Sequence, residues 1–477
     1  MRGSLERRSA IKKKSLGFLV FLLAIALTAC NLPAIIRSAA NAPNQNENTS
    51  TDITLEPTEK KVTPQTSTQL PINSTSLIQP EMLEYLGAFR LPEGSGDSNW
   101  EYSGRGLTYF PDGDAEGAAD GFPGSLYGTG QDQHNFVSEI SIPVPVNSRN
   151  LDDLNTATTL QSFADITEGM FGETDLPRLG IQYLPALEGQ DSGKLYFVHG
   201  QHFQDFEASH GWSELDLSHP HPAGPWFFDG YTNYVTSDYL FEIPANWSTL
   251  LPGSPQLAGG RFREGVWGGF GPALFAFSPI QNGQTLEPYH TLENVSPLLL
   301  YGVQEPDQTD ILTNENQQMN GYNADDSWWG GAWLTSNDRA SVIFVGTKAL
   351  GKSWYGFANG VVWEYDCADK NPPTCPEVPE WPYENRGYWA ENYQPQMIFY
   401  NPADLVKVAN GELQSWEPQP YATLDLSQYF YDPKISLENY KFDIAGAVAY
   451  DRERGYLYVV ERLADGSKSV IHVWKIN

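Results

Sequence analysis

From Tyr85 to the C-terminus, apolar and polar positions alternate in short runs broken by Gly or Pro, the period of half-buried strands. Four kinds of run recur. One begins on Gly and continues in small or aliphatic residues, at 106–109, 180–183, 331–334 and 446–450. Small residues suit strands crowded around an axis, where backbones approach closely. A second kind follows across a turn, at 126–128, 195–198, 342–345 and 457–460. A third ends in Pro, which stops a ladder because it has no N–H, at 139–143, 241–244, 275–279 and 398–402. Its fifth copy, 472–476, lies at the end of the chain and has no Pro. A fourth, outermost kind is represented by 421–426.

Four antiparallel strands repeated in this order predict an all-β fold: a β-propeller of about five four-stranded blades. A two-sheet sandwich is the alternative. The last blade runs out of chain before its outer strand, and the run 83–90 is left over at the other end. Pairing the two closes the ring. The third blade is the irregular one. Between Glu264 and the Pro-ended run near Phe275 there is no room for two more strands, so either that blade is degenerate or 271–277 is its inner strand. Four or six blades remain open on this reading.

The N-terminus carries a different pattern. Arg2, Arg7, Arg8 and Lys12 to Lys14 precede a twelve-residue stretch, 16–27, that is apolar except for one Gly. That is the layout of a signal peptide and is short for a membrane span. It ends Leu27-Thr28-Ala29-Cys30, which resembles a bacterial lipobox. The resemblance implies cleavage after residue 29 and lipid on Cys30, with plain secretory cleavage near Ala29 as the alternative. Residues 30–80 lack aromatics and are rich in Asn, Thr, Ser, Gln and Pro, so a disordered linker is expected there, with a reach of roughly 40 Å. The expected domains are a signal peptide (1–29), a linker (30–80) and the propeller (81–477). The expected location is the outside of a membrane, held there through lipid.

Composition narrows the class further. With 43 Gly and 34 Pro in 477 residues, a helical bundle is excluded, and a formal charge of −30 argues against a nucleic-acid partner. Cleavage would remove six cations and one anion and take the charge to −35, so the body should stand off anionic headgroups. Of three Cys, Cys367 and Cys375 have seven residues between them in a Pro-rich stretch. In an exported chain this spacing predicts a disulfide, the alternatives being free thiols or a metal.

In a propeller, connections from outer to next inner strand and from second to third strand emerge on one face. This rule gathers two long excursions, 199–238 and 347–395, with the segments 94–105, 173–179, 259–270, 302–330 and 432–445. Ten of the fourteen Trp fall there, including Trp212, Trp226, Trp267, Trp328 and Trp329. Exposed indoles stack on sugar rings or anchor partners; otherwise they pack long loops as small satellite cores. Polar residues just ahead of inner strands are Glu101 with Arg105, Arg178, Asp325 with Asp326, and Asp443. Glu101, Asp326 and Asp443 are candidate acid/base groups, and Arg105, Arg178, His199, His202, Trp267 and Trp329 are candidate ligand contacts. The acids could equally cap strand ends.

Five of the eight His cluster at 199, 202, 210, 219 and 221, yet no His-Glu-x-x-His or Cys-x-x-Cys spacing supports a metal. The acidic run at Asp112, Asp114, Glu116 and Asp120 lacks the spacing of a calcium loop and reads as a solvated hairpin. No metal or cofactor is expected. A serine-nucleophile elbow, a phosphate-cradling loop and a dinucleotide fingerprint are all absent.

In outline the arrangement resembles the five-bladed arabinanase-like hydrolases. Their pattern of one acid in each of three successive blades is not met, because the second blade presents Arg178. Taken whole, 82–477 resembles uncharacterised exported bacterial β-propeller proteins. The resemblance implies a surface lipoprotein whose loop-rich face binds glycan or another extracellular polymer. A glycoside hydrolase or polysaccharide lyase and a protein-interaction scaffold are the alternatives.

Overall fold

A computed structural model describes residues 76–477, except 115–116, 203, 205, 262–266, 306–307 and 309. The signal peptide, Cys30 and nearly all of the linker lie outside the described residues. The described fold begins five positions ahead of the expected boundary. Strand β1 (Ser76–Leu77) lies parallel to Arg339 and Ala340, and Ile78 is fully buried.

Strand β2 (Leu83–Arg90) is the first long strand. Blade 1 follows as β3 (Leu107–Phe110), β4 (Ser125–Thr129), β5 (Val137–Ser141) and β6 (Thr159–Ala164). Blade 2 is β7 (Arg178–Leu184), β8 (Lys194–Gly200), β9 (His210–Ser213) and β10 (Ala223–Phe228). Blade 3 is β11 (Tyr239–Glu242), β12 (Leu257–Gly260), β13 (Leu274–Phe277) and β15 (Ser296–Leu299), while β14 (Thr291–Leu292) turns back to the edge of blade 2. Blade 4 is β16 (Ser327–Ser336), β17 (Arg339–Phe357), β18 (Arg386–Tyr400) and β19 (Ala422–Asp425). Blade 5 is β20 (Ala445–Asp451), β21 (Tyr456–Asp465) and β22 (Lys468–Ile476), with β2 as its outer strand.

The ring closes as the leftover strand requires. β2 pairs antiparallel with β22 from Leu83 opposite Ile476 to Arg90 opposite Val470. Apolar side chains from facing blades form the cores between them. Between blades 4 and 5, for instance, Ile343, Val345 and Phe399 meet Leu457, Val459 and Trp474.

Glycine sets how tightly the inner strands pack. A Cβ on Gly106 would lie 2.5 Å from the Leu179 carbonyl oxygen, and one on Gly180 2.3 Å from that of Asp238. Gly330 and Gly446 stand likewise against the carbonyls of Gly446 and Gly104, at 2.8 and 2.3 Å. Any side chain there would separate neighbouring blades. Blade 3 departs from this rule with Tyr239, whose hydroxyl donates to the Ala273 carbonyl at 2.6 Å.

That departure corrects the expected strand order. The inner strand of blade 3 is 239–242, so the Pro-ended run 241–244 is not the third strand of blade 2. The supposed excursion 199–238 contains β9 and β10, and 259–270 leads from the second to the third strand of blade 3. Blade 3 is therefore complete, and Leu274–Phe277 is its third strand, not its inner one.

One excursion is real. Beyond Thr347 and Gln396, β17 loses its inner neighbour and β18 its outer one, and the two continue together as a two-stranded arm to Phe357 and Arg386. Its tip holds the Cys367–Cys375 disulfide, with Cα atoms 4.8 Å apart. No helix among the described residues is long and apolar enough to cross a membrane.

Candidate functional site

Each blade sends one side chain from at or near the start of its inner strand to the axial mouth: Arg105, Arg178, Asp238, Trp329 and Asp443. Arg105 and Trp329 top a channel walled by the inner strands, among them Gly180, Tyr239, Gly331 and Val448, with room for no more than about one water molecule. At the opposite end Arg452 donates to the Trp333 carbonyl at 2.8 Å and pairs with Glu242 at 3.2 Å, tying blades 3, 4 and 5 together. Access to the axis is from the loop face.

The side chains at this mouth form an interlocked set. The Arg105 guanidinium carbon lies 3.8 Å from the centre of the Trp329 ring, and that of Arg178 4.4 Å. Arg105 donates to Asp443 at 3.1 Å, and Arg462 reaches the same oxygen at 3.3 Å. The other Asp443 oxygen accepts from Ser327 at 2.6 Å. Arg462 also donates to Asp132 at 3.1 Å. On the blade 2–3 side, Arg178 and the fully buried Arg261 each approach Asp238 at 3.5 Å.

Burial alone would raise the Asp443 pKa, but Arg105, Arg462 and the Ser327 hydroxyl outweigh it and hold the carboxyl below its ordinary value. Burial, followed by the Arg105 charge, brings the Arg462 guanidinium down to about 10, so it stays charged. Asp443 is thus a fixed anion, suited to holding arginines and unsuited to giving up a proton.

The remaining acid candidates lie elsewhere. Asp326 directly precedes Ser327, and neighbouring residues of an extended chain face opposite ways. Ser327 faces the axis, so Asp326 faces the root of the arm. There it accepts from Lys348 Nζ at 2.7 Å and from the Ala349 and Asn323 amides at 3.0 Å. Burial pushes its pKa up to about 6, and Lys348 and the amides pull against that shift. Glu101 is exposed and bridges by its backbone to Lys468, away from the mouth. Of the three acid candidates, only Asp443 reaches the axis.

The histidines divide. His199 is buried, stacks 4.1 Å from Phe171 and has its pKa lowered to about 4, by burial and then by Arg261. His202 follows in the same connection, its amide donating to the Asp175 carbonyl at 2.9 Å. His210 sits within β9, fully buried, while His219 and His221 lie in the turn to β10, on the opposite face. Among the described residues, no three His, Cys, Asp or Glu come together as a metal group.

The indoles also move. Trp212 and Trp226 are strand residues of blade 2, and Trp328 points into the core between blades 3 and 4. Trp329 is only 5% exposed and carries two guanidiniums, so it offers no open face to a sugar. Trp267 packs against Tyr234, ring centres 5.4 Å apart, next to Arg261. Open aromatic surface is concentrated on the arm tip instead: Tyr365 is 99% exposed and Trp381 57%, with Tyr383, Val362 and Val378 around them. Behind the tip, Arg386 lies 4.4 Å over Trp363, and the Trp354 and Trp389 indoles donate to the carbonyls of Phe357 and Gly356.

Asp238, Asp132, Arg261 and Arg462 escaped the sequence reading. Asp238 obeys the rule that found Arg105 and Asp443, and it becomes visible once 239–242 is an inner strand. The other three come from second strands or the connections after them, which show no comparable mark.

The fold and mouth define a five-bladed β-propeller with an arginine-rich axial funnel. No protein-family model and no curated protein matches the chain. Among solved structures, the chain is similar to the β-propeller domain of Cps50 (Swd1) from Myceliophteria thermophila, at 9% identity over 81% of this chain and 100% of that one, with a TM-score of 0.27. At that distance the fold assignment rests on the strand pairing itself.

Proposed function

We propose that this chain is an exported, lipid-anchored binding protein that holds an extracellular polysaccharide on its loop-rich face. The observation that carries the reading is the disulfide-tied arm, which holds Tyr365, Trp381 and Tyr383 open to solvent at its tip. A propeller supports a binding or scaffold role by its shape, and open aromatic faces suit sugar rings. The lipobox-like Leu27 to Cys30 and the apolar stretch ahead of it support export and anchoring.

Hydrolysis has less support. Glycoside cleavage needs a protonated carboxyl beside an ionised one across the scissile bond. Asp443 is held ionised by two arginines, and Asp326, whose pKa is raised, faces the arm.

The test is a glycan array probed with the purified lipidated chain in detergent. A subset of polysaccharides should bind, and the double variant Tyr365→Ala/Trp381→Ala should weaken them about ten-fold, from roughly 0.5–1.5 kcal/mol per aromatic contact. Absence of binding to every glycan would remove this reading and favour the protein scaffold.

A further inference from the structure

The geometry points to a second element of recognition: the axial mouth is a site for a single carboxylate, supplied by a terminal uronic acid of the bound saccharide. The inference rests on the reading of this face as a polysaccharide surface and specifies the ligand's chemistry.

A guanidinium carries five N–H donors, and buried donors are nearly always paired. The buried Arg462 obeys that rule, donating to Asp443, Asp132 and the carbonyls of Tyr102 and Ser103. Arg105 and Arg178 do not. Their side chains are only 13% and 12% exposed, yet Arg105 makes one hydrogen bond, to Asp443, and Arg178 makes none. The Nη1 of Arg178 is buried without an acceptor, its closest acid being Asp238 at 3.5 Å.

Both guanidiniums rest on Trp329, which fixes their position while leaving the N–H groups unspent, because a π face accepts charge and not directed hydrogen bonds. A guanidinium fork matches a planar acceptor that takes two parallel bonds, the geometry of a carboxylate.

Space and overall charge limit the ligand to one acid. The channel below has room for about one water, so a flat head group fits the mouth and a sugar ring stays above it. A chain of formal charge −30 repels a polyanion along its length, which favours one terminal acid over a run of uronates.

The experiment is a calorimetric titration of the lipidated chain in detergent. The probes are an oligosaccharide ending in glucuronic acid and the methyl ester of the same oligosaccharide. The acid should bind at least ten-fold more tightly than the ester. Arg178→Gln should bring that ratio close to one, and Arg178→Lys should restore part of it. Equal affinities for acid and ester in the unaltered chain would overturn the carboxylate site and leave the polysaccharide reading standing. Failure of both probes, together with an empty glycan array, would overturn both. The acid-to-ester ratio decides the matter without any variant, so a misfolded Arg178→Gln cannot obscure it.

Discussion

Replacing Gly446 with alanine tests the packing of the inner strands directly. The added Cβ would stand 2.3 Å from the Gly104 carbonyl oxygen and 3.2 Å from Arg462 Cγ. Ordinary contact needs about an ångström more than the first of these, and the first neighbour is backbone, which cannot swing aside. Moving β20 the other way meets blade 4, because the Gly446 carbonyl already lies 2.8 Å from where a Cβ on Gly330 would be. The shift would also strain the Ala447 amide's 2.9 Å bond to Gly104, which joins blade 5 to blade 1. Overpacking costs about 1–3 kcal/mol, and a weakened hydrogen bond adds about 1 kcal/mol, so the loss should be about 2–4 kcal/mol. Gly446 does not use the left-handed region, so the cost is contact and not backbone strain. Gly387, in the arm, supplies the control. A Cβ there meets nothing within 4 Å, and alanine should be neutral or stabilise by about 0.4–1 kcal/mol. Denaturant unfolding followed by tryptophan fluorescence compares the two variants. Coincident unfolding curves for Gly446→Ala and Gly387→Ala would refute the close-packed axis.

Two further outcomes follow from the root and the tip of the arm. Asp326 titrates near 6 in the fold against 3.8 unfolded, so its stabilising contribution is complete below about pH 3.8 and is lost as pH rises through about 6. Asp326→Asn should therefore flatten the fall in unfolding midpoint between about pH 4 and pH 6.5; an unchanged slope would remove this carboxyl as its source. Replacing Cys367 and Cys375 with Ser should speed protease cleavage within 358–385, since a short closed loop removes roughly 2–3 kcal/mol of disorder from the open chain. The ring's own unfolding midpoint should stay put, and a matching drop there would show that the arm props up the blades.

How much of this was readable from the chain depended on what each residue had to do. Inner strands of four blades announced themselves because only glycine admits a neighbouring carbonyl at the axis. Blade 3 uses Tyr239, loses that mark, and Pro244 then imitates the end of a third strand. β9 and β10 are short and interrupted by Gly211, Gly224 and Pro225, so no alternation betrays them. The position rule for polar residues ahead of inner strands named Arg105, Arg178 and Asp443, which lie near one another and near Trp329. It failed for Asp326 by a single residue, because side-chain direction in an extended segment reverses at each step and the phase is set by pairing across the sheet. Arg462 looked like any strand cation until distant blades surrounded it.

The seam between β2 and β22 also fixes the order in which the molecule can be finished. Leu83–Arg90 precedes blades 1 to 4 along the chain, and its partner, Lys468–Ile476, follows them. Until that partner is made, this strand has an open edge and no mate. Blades 1 to 4 can assemble as they emerge, but they form an arc until 468–476 arrives. A chain without that strand would lose the pairing that turns the arc into a wheel.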